Sequence, residues 1–597
     1  MSAVPHTIAG LRTAYADGAR PRDLIEQLRA AQRADDPAWI LRCDDTFVDA
    51  QLVRLERHAS TELPLYGVPF AVKDNIDVEG LPTTAACPAY AYTARAHATC
   101  VRRLLDAGAV LLGKTNLDQF ATGLVGTRSP YGVVPNTFDA RYVCGGSSSG
   151  SASVVARGLV AFALGTDTAG SGRVPAGFNN LVGCKPTPGL VGARGVVPAC
   201  ATLDTVSVFA LTVADAARVL ALIEGGDEAN VVAPAAPGAP VFASALRVGV
   251  PQSPELDGSL GYVQAFAQQV ERVTRLGGTA VALDIAVLHE VAALLYDGPW
   301  VAERYVVVRE LLERQPEAID PVVRRVIAHA RGIDAARAFE GRYRLAALAR
   351  DANALWDRID VLMVPTAPTV PTLTAVADEP LLRNSELGRF TNFVNLLGWS
   401  ALAVPAAITP RGLPFGVTFI APGGRDAALL HLGARWQALL DLSLGARLAP
   451  PLPHELKLDA MPRSEASVAI AVVGAHLEGQ PLHGQLRERG ARCIARTRTA
   501  PSYRLHALPN TTPPKPGLAR VGDGVGHAIE VEVYEMPAQH VGSFLALVPP
   551  PLGIGSIELE DGRWVKGFIC EPHALRGARD ISAFGGWRAW LRAEGAT

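Results

Sequence analysis

Apolar residues recur along this chain in patterns that change from region to region. From Pro64 to about residue 445, short unbroken apolar runs alternate with glycine-rich turns and amphipathic stretches. Residues 66–72 and 110–113 read as strands, and residues 99–107 between them read as a helix from the 3.6-residue recurrence of apolar positions. Regular alternation of strand and helix predicts an α/β fold. Residues 1–60 carry Leu11, Leu24, Ile25 and Leu28 among charged neighbours, the pattern of polar helices.

The pattern breaks at residues 448–466 (LAPPLPHELKLDAMPRSEA), which are proline-rich, polar and without periodicity, so a linker is expected there. A buried-strand run resumes at 467–474 (SVAIAVVG), partial two-residue alternation follows at 527–534, and another short run ends at Cys570. The expected organisation is a first domain over 1–447, with a helical N-terminal region over 1–60, then the linker, then a smaller α+β domain over 467–597.

Composition narrows the partners. Lys plus Arg is 56 against 58 acidic residues, a net charge of −2, so no basic surplus exists to neutralise nucleic-acid phosphates. The eight cysteines are scattered, with no CxxC pair and no metal-like cluster, and no cofactor is implied. Residues 1–20 lack an apolar signal core. The best membrane candidate, residues 207–223, is interrupted by Asp215 and Arg218. A cytoplasmic protein, off the membrane and assembled as a homo-oligomer, is the expectation.

The chemistry concentrates in two glycine–serine stretches, residues 144–153 (CGGSSSGSAS) and 165–175 (GTDTAGSGRVP). Ser147 and Ser171 each sit among glycines, which let backbone amides approach a reacting centre. Lys73 lies upstream in AVKDNID, directly after an apolar strand, and no histidine lies near either serine. A serine hydroxyl needs a neighbouring base, and a lysine serves only if its pKa falls far below the ordinary value of about 10.4. A second hydroxyl can relay the proton, because it both donates and accepts. Asp167 and Arg173 read as structural groups beside the turn.

These ordered motifs resemble the amidase signature family over roughly residues 60–440. The resemblance implies a mixed sheet covered by helices, with Ser171 as nucleophile, Ser147 as bridging serine in a cis peptide, and Lys73 as base. Thr168, Ala169 and Gly170, together with Ser171, would point backbone N–H groups at the oxyanion. Where the family more often has a second glycine, this chain has Ala169.

Two further segments bear on specificity. Residues 119–132 (QFATGLVGTRSPYG) depart from the EFAMGSSTENSAYG pattern of transamidating members, and Thr122 and Gly123 in this segment are candidate substrate contacts. Residues 294–305 (LLYDGPWVAERY) and 81–88 (LPTTAACP) resemble the allophanate hydrolase subfamily, in which a Tyr and an Arg hold the substrate carboxylate; here those are Tyr296 and Arg304. Planar bidentate pairing suits Arg for that task. Arg304 on a solvated helix face and Tyr296 in the core are the plain alternatives.

Residues 471–486 (AVVGAHLEGQPLHGQL) resemble the opening of γ-glutamyl-cyclotransferase-like domains, where a turn holds a carboxylate. Residues 544–552 offer no carboxylate where that family has its acid, so cyclotransferase chemistry is not expected. His476 is the candidate base or ligand for decarboxylation, with a structural histidine as the alternative. The expected function is hydrolysis of allophanate to ammonia and CO₂ in urea breakdown, downstream of a urea carboxylase. A broad-specificity amidase with a C-terminal assembly domain and one component of a tRNA-dependent amidotransferase remain as rivals.

Overall fold

A computed structural model describes residues 4–243, 245–446, 467–522 and 524–595. The expected linker at 448–466 lies outside the described residues. The chain divides into two compact units, one of Met1–Ala236 and Val241–Pro462, the other of Pro237–Pro240 and Arg463–Thr597.

The first unit is built on one mixed sheet of eleven strands. In chain order these are β1 (Trp39–Arg42), β2 (Pro69–Lys73), β3 (Val110–Thr115), β4 (Phe162–Asp167), β5 (Val182–Lys185) and β6 (Thr205–Ala210). They continue as β7 (Leu246–Pro251), β8 (Gly278–Leu283), β9 (Val361–Pro365), β10 (Ser400–Ile408) and β11 (Pro414–Ala421). Their spatial order is β1-β3-β2-β4-β6-β5-β10-β11-β9-β7-β8. Strands β2, β3, β4, β5, β6, β9 and β11 are buried throughout. That is why they read as continuous apolar runs rather than alternating ones. Phe70 of β2 stacks on Phe162 of β4 with ring centroids 5.3 Å apart.

Around Lys73 the sheet is parallel: β2 pairs with β3 on one side and β4 on the other. Ligand sites of parallel sheets form beyond the carboxyl ends of the strands. The three connections that leave these ends carry Lys73, the loop after Thr115, and the turn after Asp167. The β2–β3 register shifts between Phe70 and Ala71, so Phe70 faces Leu111 but Ala71 faces Gly113, and Lys73 ends opposite Thr115. Bulges of this kind re-aim side chains near active sites.

The N-terminal region contains the expected helices, Ile8–Ala16, Pro21–Ala30 and Asp45–Leu55. It also contributes edge strand β1, antiparallel to β3, which the apolar pattern does not predict. Residues 207–223 divide between β6 and the helix Val213–Ile223. No helix among the described residues is long and apolar enough to cross a membrane.

The second unit holds a five-stranded sheet and a three-stranded one. Its strands are β12 (Ser467–Val472), β13 (Arg492–Arg498), β14 (Tyr503–Ala507), β15 (Pro516–Arg520), β16 (Glu530–Pro537), β17 (Leu552–Glu558), β18 (Trp564–Cys570) and β19 (Arg579–Asp580). The five-stranded order is β13-β16-β12-β18-β17, with β12 in the centre. Ile470, Val472, Val531, Val533 and Phe568 pack the core of this unit.

Candidate active site

Lys73 is fully buried at the end of β2. Its Nζ lies 2.7 Å from Ser147 Oγ and 2.9 Å from Thr166 Oγ1. Burial draws the ammonium down to about 7, against the opposing pull of Asp118, Asp204 and Asp167. The unprotonated amine is therefore well populated at neutral pH, as a general base requires. Two other buried lysines differ in their surroundings. Lys114 of β3 pairs with Asp74 at 2.8 Å. Lys185 is also drawn down to about 7 by burial, but its Nζ donates to the Pro186 and Trp399 carbonyls, 2.8 Å each. Neither amine bonds to a serine in the glycine–serine stretches, as Lys73 does.

Ser147 follows a cis Gly146–Ser147 peptide. Its carbonyl accepts from Asp118 N at 3.0 Å, and Gly146 N donates to Leu124 O at 2.8 Å. The Asp118 carboxylate in turn accepts from the amides of Gly126 and Arg128, 3.0 Å each. A side chain at Gly146 would run into that carboxylate, so the close approach of the two loops requires glycine.

The turn that carries Ser171 is organised by Asp167, which is fully buried at the end of β4. Its two oxygens accept from Gly170 N, Gly172 N, and Arg173 Nε and Nη2, each at 2.9 Å. Arg173 is held further by Asn395 Oδ1 at 2.9 Å and Thr391 O at 3.1 Å. Gly170 sits at φ +129°, and a Cβ there would strike the Thr391 hydroxyl. This wiring corrects one expectation: the Gly170 amide is spent on Asp167 and is not free to hold an oxyanion. Among the described residues, the amides of Thr168, Ala169 and Ser171 donate to no protein acceptor. Ser171 is 2% exposed, and its Oγ donates to Gly123 O at 3.4 Å, a long bond. No hydrogen bond joins Ser171 to Ser147 in this arrangement; catalytic bonds are often long or open before substrate arrives.

Arg304, on the helix Val301–Arg314, is 3% exposed, not on a solvated face. Its Nη1 donates to Ala121 O at 3.2 Å and Thr122 Oγ1 at 3.1 Å. Among the described residues no carboxylate pairs with it. The half-buried Tyr296 ring lies with its centroid 6.0 Å from the guanidinium carbon, within cation–π range. Tyr296 also lines a cavity of about 760 Å³ bounded by Ile285, His289, Phe390 and Asn392.

Three residues to which the sequence analysis assigns no role complete the site. Thr166 is the second hydroxyl on Lys73. Asp118 ties the two loops together. Asp204 accepts from Thr168 Oγ1, and from Ala199 N and Cys200 N at 2.7 and 3.1 Å, and burial raises its carboxyl to about 6.

In the second unit, His476 lies on the turn after β12. Its Nε2 is 2.9 Å from Gln485 Oε1. The ring stacks on Phe568 at 4.8 Å and meets Phe544 edge-on at 5.4 Å. Burial lowers its pKa, so the ring is neutral at pH 7. Glu532, also buried, accepts from Glu478 N at 2.8 Å, Tyr534 Oη at 3.0 Å and Arg588 Nη2 at 2.7 Å.

Both units match known protein families. The Amidase family matches residues 23–430, and the family described as allophanate hydrolase C-terminal domain matches residues 468–592. Urea amidolyase of Saccharomyces cerevisiae is 45% identical over 95% of this chain, which spans only 32% of that relative's length. The solved structure of Kluyveromyces lactis allophanate hydrolase is 43% identical, with a TM-score of 0.79, over 99% of this chain and 100% of that one. One component of the glutamyl-tRNA(Gln) amidotransferase of Acidobacterium capsulatum is 33% identical over 64% of this chain and 87% of its own length. The chain belongs to the amidase family, with an amidase domain followed by an allophanate hydrolase C-terminal domain.

Proposed function

We propose that this chain hydrolyses allophanate, the N-carboxylate of urea, in two steps. Ser171 Oγ attacks the terminal carbamoyl carbon while its proton passes through Ser147 to Lys73. The developing oxyanion is held by the free amides of Thr168, Ala169 and Ser171. Donors preorganised in this way are worth about 2.7–4 kcal/mol each. The relay returns the proton to the leaving nitrogen, and ammonia departs. Water then takes the same path and releases N-carboxycarbamate. Decarboxylation at His476 leaves carbamate, which falls to ammonia and CO₂.

The observation that carries the anionic substrate is Arg304, a buried guanidinium with no carboxylate partner among the described residues, bonded to Thr122 beside the residue that holds Ser171. A buried charge is costly unless paired, so a ligand carboxylate is the fitting complement. On this reading the likeness of residues 471–486 to γ-glutamyl-cyclotransferase-like domains extends to the carboxylate-holding turn and not to cyclotransferase chemistry. Because allophanate is a carboxylated urea, a urea-carboxylating enzyme must supply it.

Ammonia release by the purified chain from allophanate, compared with urea, glutamine and simple amides, tests the reading. Allophanate should be strongly preferred. Preference for simple amides would favour a general amidase, and preference for glutamine a transamidating enzyme.

A further inference from the structure

The short helix Asn392–Leu396 carries two asparagines with different surroundings. Asn395 is spent on the fold: its Oδ1 accepts from Arg173 at 2.9 Å, and its Nδ2 donates to Asp167 O at 2.8 Å and Leu203 O at 3.1 Å. Asn392 is 7% exposed, yet its Oδ1 accepts no hydrogen bond among the described residues. Buried polar atoms are nearly always bonded, so a bare acceptor calls for a donor from outside the chain. The carboxamide lies so close over Gly388 that a Cβ there would strike it. Asn392 and Tyr296 line the same cavity of about 760 Å³. Their helices, Asn392–Leu396 and Ala286–Asp297, pack against each other. The residue before Asn392 is Thr391, whose hydroxyl donates to Ala169 O at 2.6 Å. Asn392 is therefore tied on one side to the turn that carries Ser171 and on the other to the helix whose tyrosine meets Arg304.

We infer that Asn392 is a specificity-determining residue whose Oδ1 accepts the central N–H of allophanate, the one between the carboxylate and the carbamoyl carbon. The inference rests on the hydrolysis proposed above and names a further contact within it. With the carboxylate on Arg304 and Tyr296, the central N–H is the next donor along the ligand. Its bond to Asn392 fixes rotation about the carboxylate end and presents the carbamoyl carbon to Ser171. A site that offers a buried acceptor to a substrate N–H discriminates against an analogue without it, because the acceptor is then left unpaired.

Malonamate keeps the carboxylate and the terminal carbamoyl group and has CH₂ where allophanate has the central N–H. Ammonia release from both is measured with the full chain, with Asn392→Leu, which is close to Asn in size, and with Asn392→Ala, which needs less room over Gly388. In both variants kcat/KM for allophanate should fall about tenfold or more, while kcat/KM for malonamate changes by less than about twofold. Titration of the two ligands into Ser171→Ala, with and without Asn392→Leu, makes the same comparison in binding, whatever the rate of malonamate turnover. A purely structural Asn392 would weaken both ligands alike. Equal losses on the two, or no loss on allophanate, overturn the inference and leave hydrolysis of allophanate standing. No turnover of allophanate by the full chain removes the proposed function, and the inference with it.

Discussion

Arg304 Nη1 donates to Thr122 Oγ1 at 3.1 Å, and the residue after Thr122 supplies the carbonyl that the Ser171 hydroxyl meets. The Arg304 guanidinium and the Ser171 hydroxyl are therefore anchored on adjacent residues of one loop. If the guanidinium receives the substrate carboxylate, Arg304→Ala should cost about 2–5 kcal/mol in kcat/KM for allophanate. The uncharged analogue biuret should lose far less. Steady-state kinetics on both substrates checks this, and equal losses would assign Arg304 to the fold.

Lys73 must be unprotonated to accept the serine proton. With its pKa drawn to about 7 by burial, kcat/KM should rise as pH increases through about 7 and fall on the acid side as the amine protonates. Lys73→Ala should lose about 10²–10⁴-fold in rate and the acid limb with it. Circular dichroism of the variant should match that of the parent.

The Asp167–Arg173 pair is fully buried and also fixes the amides of Gly170 and Gly172. Asp167→Asn leaves a guanidinium uncompensated, so unfolding in urea should show a loss of roughly 3–5 kcal/mol. Activity should fall as well, because the turn that aims Ser171 loses its organising anion. A variant with parental stability would show that the turn holds its shape without the pair.

His476→Ala should leave the first ammonia release in place and let N-carboxycarbamate accumulate. Carbon-13 NMR at early times reads the dicarboxylate directly, before spontaneous decomposition obscures it. Clearance as fast as in the parent chain would make His476 structural.

The parts of the site carried by local sequence were legible before the fold was known. Lys73 closes an apolar strand, and Ser147 and Ser171 sit in glycine-rich turns whose spacing resembles a known family. What was not legible depends on strand neighbours. Thr166 meets Lys73 because β4 runs parallel beside β2, and Asp118 reaches the Ser147 loop because β3 does so on the other side. In sequence both are ordinary polar residues at strand ends. The same holds for Gly170: nothing in TAGS reveals that Asp167 would claim its amide. Edge strand β1 escaped because its four residues are too short to show a period. Arg304 looked like one charge among several on a helix, and only packing shows which side of that helix is buried.

The central claim is that Ser171 forms a covalent intermediate with the carbamoyl carbon of allophanate. Single-turnover mixing of the full chain with carbon-13-labelled allophanate, quenched in acid and followed by peptide mass spectrometry, tests it most directly. The account predicts a labelled acyl group on the peptide bearing Ser171, appearing with the first ammonia, decaying as N-carboxycarbamate forms, and absent from Ser171→Ala. Turnover by Ser171→Ala near the parental rate, or label on another residue, would contradict it.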